Sequence, residues 1–135
     1  MIVGFTCGAF DMVHPGHVTM FRQAKHHCNT LIVGLHTNPQ TDRPEKNKPI
    51  QSVYERYTQL VGCTYIDLII PYDTEQDLCN LLAIEPIDVR FVGEEYTGIK
   101  LTGDEICQKK NIQTIYLPRL HNYSSTELRK RIHES

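Results

Sequence analysis

Five short apolar runs alternate with helix-spaced stretches, and this alternation restricts the possible folds more than any other feature of the chain. Residues 2–5, 31–35, 66–70, 89–92 and 114–117 are brief and rich in β-branched or aromatic side chains, as strands covered on both faces tend to be. Between them lie helical patterns. Residues 17–28 put Met20, Phe21, Ala24 and Cys28 on one face. Residues 52–62 open with Ser52 and Glu55 at capping-box spacing and can end at Gly62. Residues 74–82 and 104–110 give two shorter helices, and a last one begins near Ser124, with Glu127 three residues on and Leu128 and Ile132 facing inward. Strand–helix alternation predicts an α/β fold: a parallel five-stranded sheet with helices on both faces, in one domain over residues 1–135. In such sheets ligands bind beyond the carboxyl ends of the strands.

Composition narrows the function. The 135 residues suffice for one domain with its own core. Fourteen basic against sixteen acidic residues give a net charge of −2, which argues against bulk nucleic-acid binding. No apolar run approaches a membrane span, and residues 1–6 read as a strand and not as a signal peptide. Cys7, Cys28, Cys63, Cys79 and Cys107 are odd in number, widely spaced and without a C-x-x-C pair. Reduced, mostly buried thiols in a cytoplasmic protein are expected, and no zinc or other metal site.

The sequence Gly8-Ala9-Phe10-Asp11, followed by His14-Pro15-Gly16-His17, falls between the first strand and the first helix. Free N–H groups at a helix start attract anions. Gly16 lets a phosphate approach the backbone, and Pro15 pre-shapes the turn. Two imidazoles bracketing that turn can stabilise charge on a phosphorus centre. The competing readings are an ordinary Pro-Gly turn and an accidental pair of histidines. Residues 37–50, with three prolines and mixed charge, form a long connection that is either functional or a solvated loop.

At these residues the chain resembles the HxGH nucleotidyltransferase superfamily, and its cytidylyltransferase branch in particular. Arg119 through Thr126 is similar to that branch's R-T-E-G-I-S-T-T segment, Gly93-Glu94-Glu95-Tyr96 to its G-D-D-W stretch, and Tyr54-Glu55-Arg56 to its Glu-His-Arg segment. The likeness covers nearly the whole chain and is greatest to the compact glycerol-3-phosphate cytidylyltransferases. It implies a Rossmann-like fold, a homodimer, and transfer of CMP from CTP, accompanied by Mg²⁺, to a small phosphorylated alcohol with release of pyrophosphate. Within it, His14, His17, Lys46 and Arg119 are the catalytic group. Thr6, Gly8, Ala9, Phe10, Gly16, Gly93, Glu94, Ser124, Ser125 and Thr126 bind nucleotide alongside Arg119. Asp11, Lys48 and Arg56 bind the acceptor, with Lys46 and Lys48 competing for the role of mobile-loop lysine. Simpler roles compete for three of these: N-capping for Ser124, turn stabilisation for Asp11, and an exposed helix cation for Arg56. The chain departs from the branch at Thr64, where an arginine is frequent, at Leu120-His121-Asn122, and in the length of the 37–50 loop. These departures fall where acceptor choice is set. Two other readings stand beside the first: an adenylyltransferase that uses ATP, and a nucleotide-binding module without turnover.

Overall fold

The computed structural model describes residues 1–119 and 125–134. Within them the strands are β1 (Val3–Gly8), β2 (Thr30–His36), β3 (Leu68–Tyr72), β4 (Val89–Gly93) and β5 (Gln113–Leu117). The helices are α1 (Pro15–His26), α2 (Val53–Val61), α3 (Glu75–Ile84), α4 (Asp104–Lys109) and α5 (Ser125–Glu134), with a short 3₁₀ turn at Glu94–Tyr96. All strand pairs are parallel, in the order β3-β2-β1-β4-β5. This is the expected Rossmann-like α/β architecture. Its order reverses direction at β1 and β4, which opens a crevice at their carboxyl ends.

Each face of the sheet has its own core. On one, Val3 and Phe5 pack with Leu78, Leu81 and Leu82 of α3 and with Cys107 of α4. On the other, Leu31, Val33 and Leu35 pack with Phe21 and Ala24 of α1 and with Leu60 of α2. Strands β1, β2 and β4 are buried on both sides and carry near-continuous apolar runs, as expected. The edge strands β3 and β5 are not covered on both faces, with Leu68, Pro71, Gln113 and Tyr116 exposed, because each has a neighbour on one side only.

The differences from expectation have local causes. Strand β3 starts two residues late because Ile66 and Asp67 are occupied elsewhere: the Ile66 N–H donates to the Cys63 carbonyl, and Asp67 exchanges bonds with Leu31. It then continues through Pro71, which an edge strand tolerates. Helix α1 starts earlier, with Pro15 at its first position and His14 as its cap. Ile132 is 61% exposed and does not face the core; α5 instead reaches the body through Arg129, whose Nη2 lies 2.9 Å from Asp11 Oδ2. None of the five cysteines is in a disulfide, but only Cys107 is fully buried.

Asp67 ties the sheet to α1. Its carboxylate accepts from the Leu31 N–H at 2.8 Å and from the Lys25 ammonium. Burial works against the ionised form, yet these two partners hold its pKa below the ordinary aspartate value. A depressed carboxyl pKa stabilises the fold above the unfolded-state value, and that contribution fades as pH falls through the folded-state value. The capping carboxylates Glu55 and Asp77, held low by Ser52 and Thr74, act with the same sign. Asp67→Asn should therefore lower the thermal midpoint at neutral pH and flatten its decline on acidification. A pH series of melting curves measures both; a variant whose acid limb matches the parent's would remove Asp67 from this role.

Candidate active site

The cap of α1 is made of histidines. His14 Nδ1 accepts from the Gly16 N–H at 3.0 Å, and His17 Nδ1 accepts from the His14 N–H at 3.2 Å, closing a reciprocal capping box. An accepting Nδ1 carries no proton, so each neutral ring holds its hydrogen on Nε2. The ring centroids are 4.1 Å apart. Phe10 props this arrangement: it is buried, with its ring edge-on to His17 and tilted against Phe21. Phe10 and Met12 both have left-handed backbone, at φ 50° and 52°. Such conformations cost on the order of 1–3 kcal/mol each and tend to persist where surrounding contacts enforce them.

Beside the histidines lies a cavity of about 800 Å³ at the carboxyl ends of the strands. It gathers Thr6, Gly8, Ala9, His14, Gly16, His17, Lys46, Gly93 and Arg119, drawn from β1, α1, the 37–50 loop, β4 and the segment after β5. Arg43, Lys46, Lys100 and Arg119 also outnumber Glu75 and Glu95 on its walls, a balance suited to a polyphosphate. A smaller hollow of about 480 Å³ between β3 and α3 is lined by Asp73, Asp77 and Glu85 and by no lysine or arginine. It would repel the same ligand.

Several expected site residues are placed elsewhere. Lys46 reaches the cavity wall and Lys48 does not. The loop that carries Lys46 is fastened by the Arg43–Glu75 ion pair at 2.7 Å and by Gln40 donating to the Lys46 carbonyl. Asp11 accepts from the Ile50 and Gln51 N–H groups, both at 2.9 Å, as well as from Arg129. It thus joins the turn after β1 to the far end of the loop and to α5, and it does not line the cavity. Arg56 is 2% exposed, so it is not an exposed helix cation. Its guanidinium donates to the carbonyls of Ala9, His36, Thr37 and Gln51. Phe10 packs edge-on to His17 and is not among the residues that line the cavity. Glu94 accepts from the Arg119 N–H at 3.0 Å, while its neighbour Glu95 faces the cavity. Thr64 sits exposed in the turn before β3, away from the cavity. Thr126 is exposed in the first turn of α5; Ser124 and the Leu120-His121-Asn122 change lie outside the described residues, and Ser125 is described only as the first residue of α5.

Further residues line the cavity that sequence reasoning did not select, among them Cys7, His36, Tyr72 and Arg90. His36 and Tyr72 close their strands and so stand where ligands meet such sheets. Among the described residues no group of three or more His, Cys, Asp or Glu could hold a metal ion, and no helix is long and apolar enough to cross a membrane.

Residues 5–131 match the model of the cytidylyltransferase-like family. The chain is 32% identical over 127 residues to the bifunctional protein HldE of Hyphomonas neptunium, covering 93% of this chain and 26% of that protein. It is 38% identical over 105 residues to HldE of Caulobacter sp. strain K31, covering 77% and 21%. It therefore spans about a quarter of the length of these curated relatives. Among solved structures, the lipopolysaccharide core biosynthesis protein of Thermoplasma volcanium shares the fold with a TM-score of 0.68 at 24% identity, covering 92% of this chain and 99% of that one. Pantothenate synthetase of Thermus thermophilus does so at 0.63 and 16%, covering 97% and 64%.

Proposed function

Since the chain belongs to the cytidylyltransferase-like family, we propose that it transfers a nucleoside monophosphate from a nucleoside triphosphate to a phosphorylated small-molecule acceptor. The observation that carries this reading is the two histidine rings 4.1 Å apart beside a cation-lined cavity that also holds Lys46 and Arg119. A phosphate oxygen of the acceptor forms a bond to the α-phosphorus. The bond from that phosphorus to the bridging oxygen breaks, and pyrophosphate leaves with the electron pair. The acceptor oxygen is already anionic, so no protein nucleophile is needed. The protein contributes position and charge stabilisation. The Nε2–H groups of His14 and His17 face the developing charge, and the start of α1 adds backbone N–H groups. Arg119 and Lys46, both on the cavity wall, bring positive charge to the phosphates. The triphosphate would be bound as its Mg²⁺ complex, the metal supplying further positive charge to the phosphate oxygens.

CTP is the donor that the branch resemblance supports, with a small phosphorylated alcohol as acceptor. ATP is the second reading, because the relatives at 32% and 38% identity are named HldE, not cytidylyltransferase. The reduced thiols suit the cytoplasm, and the exposed Tyr54 and Val61 of α2 offer apolar surface for the homodimer the resemblance implies. The test is pyrophosphate release with CTP, ATP, GTP and UTP against glycerol 3-phosphate, phosphocholine, phosphoethanolamine and sugar phosphates. Release with one donor and one acceptor class is expected. Nucleotide binding without release across the whole panel would favour the module without turnover.

A further inference from the structure

The cavity has a second wall, distinct from the histidine turn. Cys7 pairs in register with Gly34, His36 with Tyr72, and Phe5 with Arg90. Side chains two apart on a strand share a face, and directly paired residues do too. Tyr72, His36, Cys7 and Arg90 therefore stand on one face, each from a different strand, and all four border the cavity. This is the face packed by α3 and α4, opposite α1. Gly34 makes the grouping possible. A Cβ there would lie 3.1 Å from both the Tyr72 ring and the Cys7 Cβ, so its absence lets thiol and phenol sit side by side.

Every group in this row is electrically quiet. His36 Nε2 lies 2.8 Å from the Asp73 carbonyl; a carbonyl only accepts, so Nε2 carries the hydrogen and Nδ1 keeps its lone pair. The ring stacks on Tyr72 with centroids 4.8 Å apart. Burial pushes His36 below its ordinary value and pushes the Tyr72 phenol and the Cys7 thiol up, so all three are uncharged at neutral pH. The one charged member, Arg90, has 6% side-chain exposure, donates to the Thr102 carbonyl at 2.9 Å and lies 3.7 Å from Asp104 Oδ1. Its charge is balanced in place. Leu78, Val92 and Leu101 also line the cavity. A further phosphate would find no uncompensated cation in this row. Alternating neutral donors and acceptors on an apolar floor instead match the hydroxyls and C–H faces of a polyol.

Building on the nucleotidyl-transfer reading, we propose that the row Tyr72–His36–Cys7–Arg90 seats the hydroxyl-bearing end of a phosphorylated polyol, so that acceptor choice is made on the α3/α4 side of the sheet. The acceptor phosphate points to Lys46 and the histidines, while the carbon chain lies along the row. A site built to bond hydroxyls discriminates against analogues that lack them.

Equilibrium binding by calorimetry tests this without turnover, using the full chain with glucose 1-phosphate, glycerol 3-phosphate and phosphoethanolamine as probes. Tyr72→Phe keeps the ring stacked on His36 and removes only the hydroxyl; Cys7→Val keeps the volume and removes the thiol. Each variant should weaken glucose 1-phosphate or glycerol 3-phosphate by roughly 3–10-fold, the range for losing one uncharged hydrogen bond. Phosphoethanolamine and the nucleotide should bind the variants as they bind the parent. The proposal is overturned if the parent binds both polyol phosphates no better than phosphoethanolamine. It is also overturned if the variants leave polyol phosphates unchanged, or weaken the nucleotide equally. Pyrophosphate release judges the reaction separately, so the subsite and the transfer reading can fail independently.

Discussion

His17→Gln should fold as the parent does and turn over roughly 10²–10³-fold more slowly, the usual cost of one transition-state donor. The choice of glutamine separates two roles that alanine would confuse. His17 is the third residue of α1, and its Nδ1 closes the capping box on the His14 N–H. Glutamine at that position closes the same box. Its amide is then committed to the backbone, and the second ring nitrogen to which the proposed mechanism assigns charge stabilisation is gone. His14→Asn is the matching variant: asparagine is among the best N-caps and keeps the bond to the Gly16 N–H, yet it offers no second ring nitrogen. Melting curves should place both variants within a few degrees of the parent, while kcat at saturating substrate collapses. The double variant should lose less than the product of the two single losses, because groups that act as a unit are not additive. Turnover within threefold of the parent for His17→Gln would reduce the histidines to helix caps and remove the chemistry assigned to them.

How much of this was legible in the sequence depends on whether a role needs neighbours in sequence or in space. The turn that opens α1 lies within four residues, so residue type and spacing place it in the sequence, although not the histidine side chains that cap it. The central strands β1, β2 and β4 are legible because strands buried on both faces are largely apolar, and the edge strands β3 and β5 because they remain rich in β-branched and aromatic residues although partly exposed. Residues whose role is set by distant partners are harder to read. Asp11 and Arg56 match motif positions, but their roles depend on where residues 36–51 return to the sheet. Glu94 and Glu95 are chemically identical in sequence, and only the turn at Glu94–Tyr96 decides which faces the cavity. Tyr72 and His36 had a usable signal, since both end strands in a fold whose ligands bind at strand ends. Arg90 had another, a charge inside an apolar run. Neither signal shows that four strands bring these residues into one row, because that follows from register.

The second large effect concerns stability. Arg56→Met should lower the thermal midpoint by roughly 10–20 °C. Arg56 lies on α2 with 2% exposure, and its donors reach four backbone carbonyls. Ala9 follows β1, His36 ends β2, and Thr37 and Gln51 bracket the loop that carries Lys46. One planar group thus joins two strand ends to both roots of that loop. Methionine fills similar volume but supplies no donor, and each buried polar group left unpaired costs about 1–3 kcal/mol. Some of the freed carbonyls gain water, so the net loss is about 3–5 kcal/mol, the range for removing one partner from a buried charged network. That is a large share of the roughly 5–15 kcal/mol available to a domain. For a chain of this length, near 2 cal/mol/K of unfolding entropy per residue converts it to the midpoint shift above. Arg56→Lys separates a strap from an acceptor ligand. Lysine keeps the charge, but its compact ammonium has three donors and cannot span four carbonyls, so a strap predicts an intermediate fall in midpoint. A ligand for the acceptor phosphate predicts an unchanged midpoint and a raised acceptor KM. Because the same carbonyls fix the roots of the Lys46 loop, the strap also predicts that kcat falls below the midpoint of melting, at temperatures where the sheet is still folded.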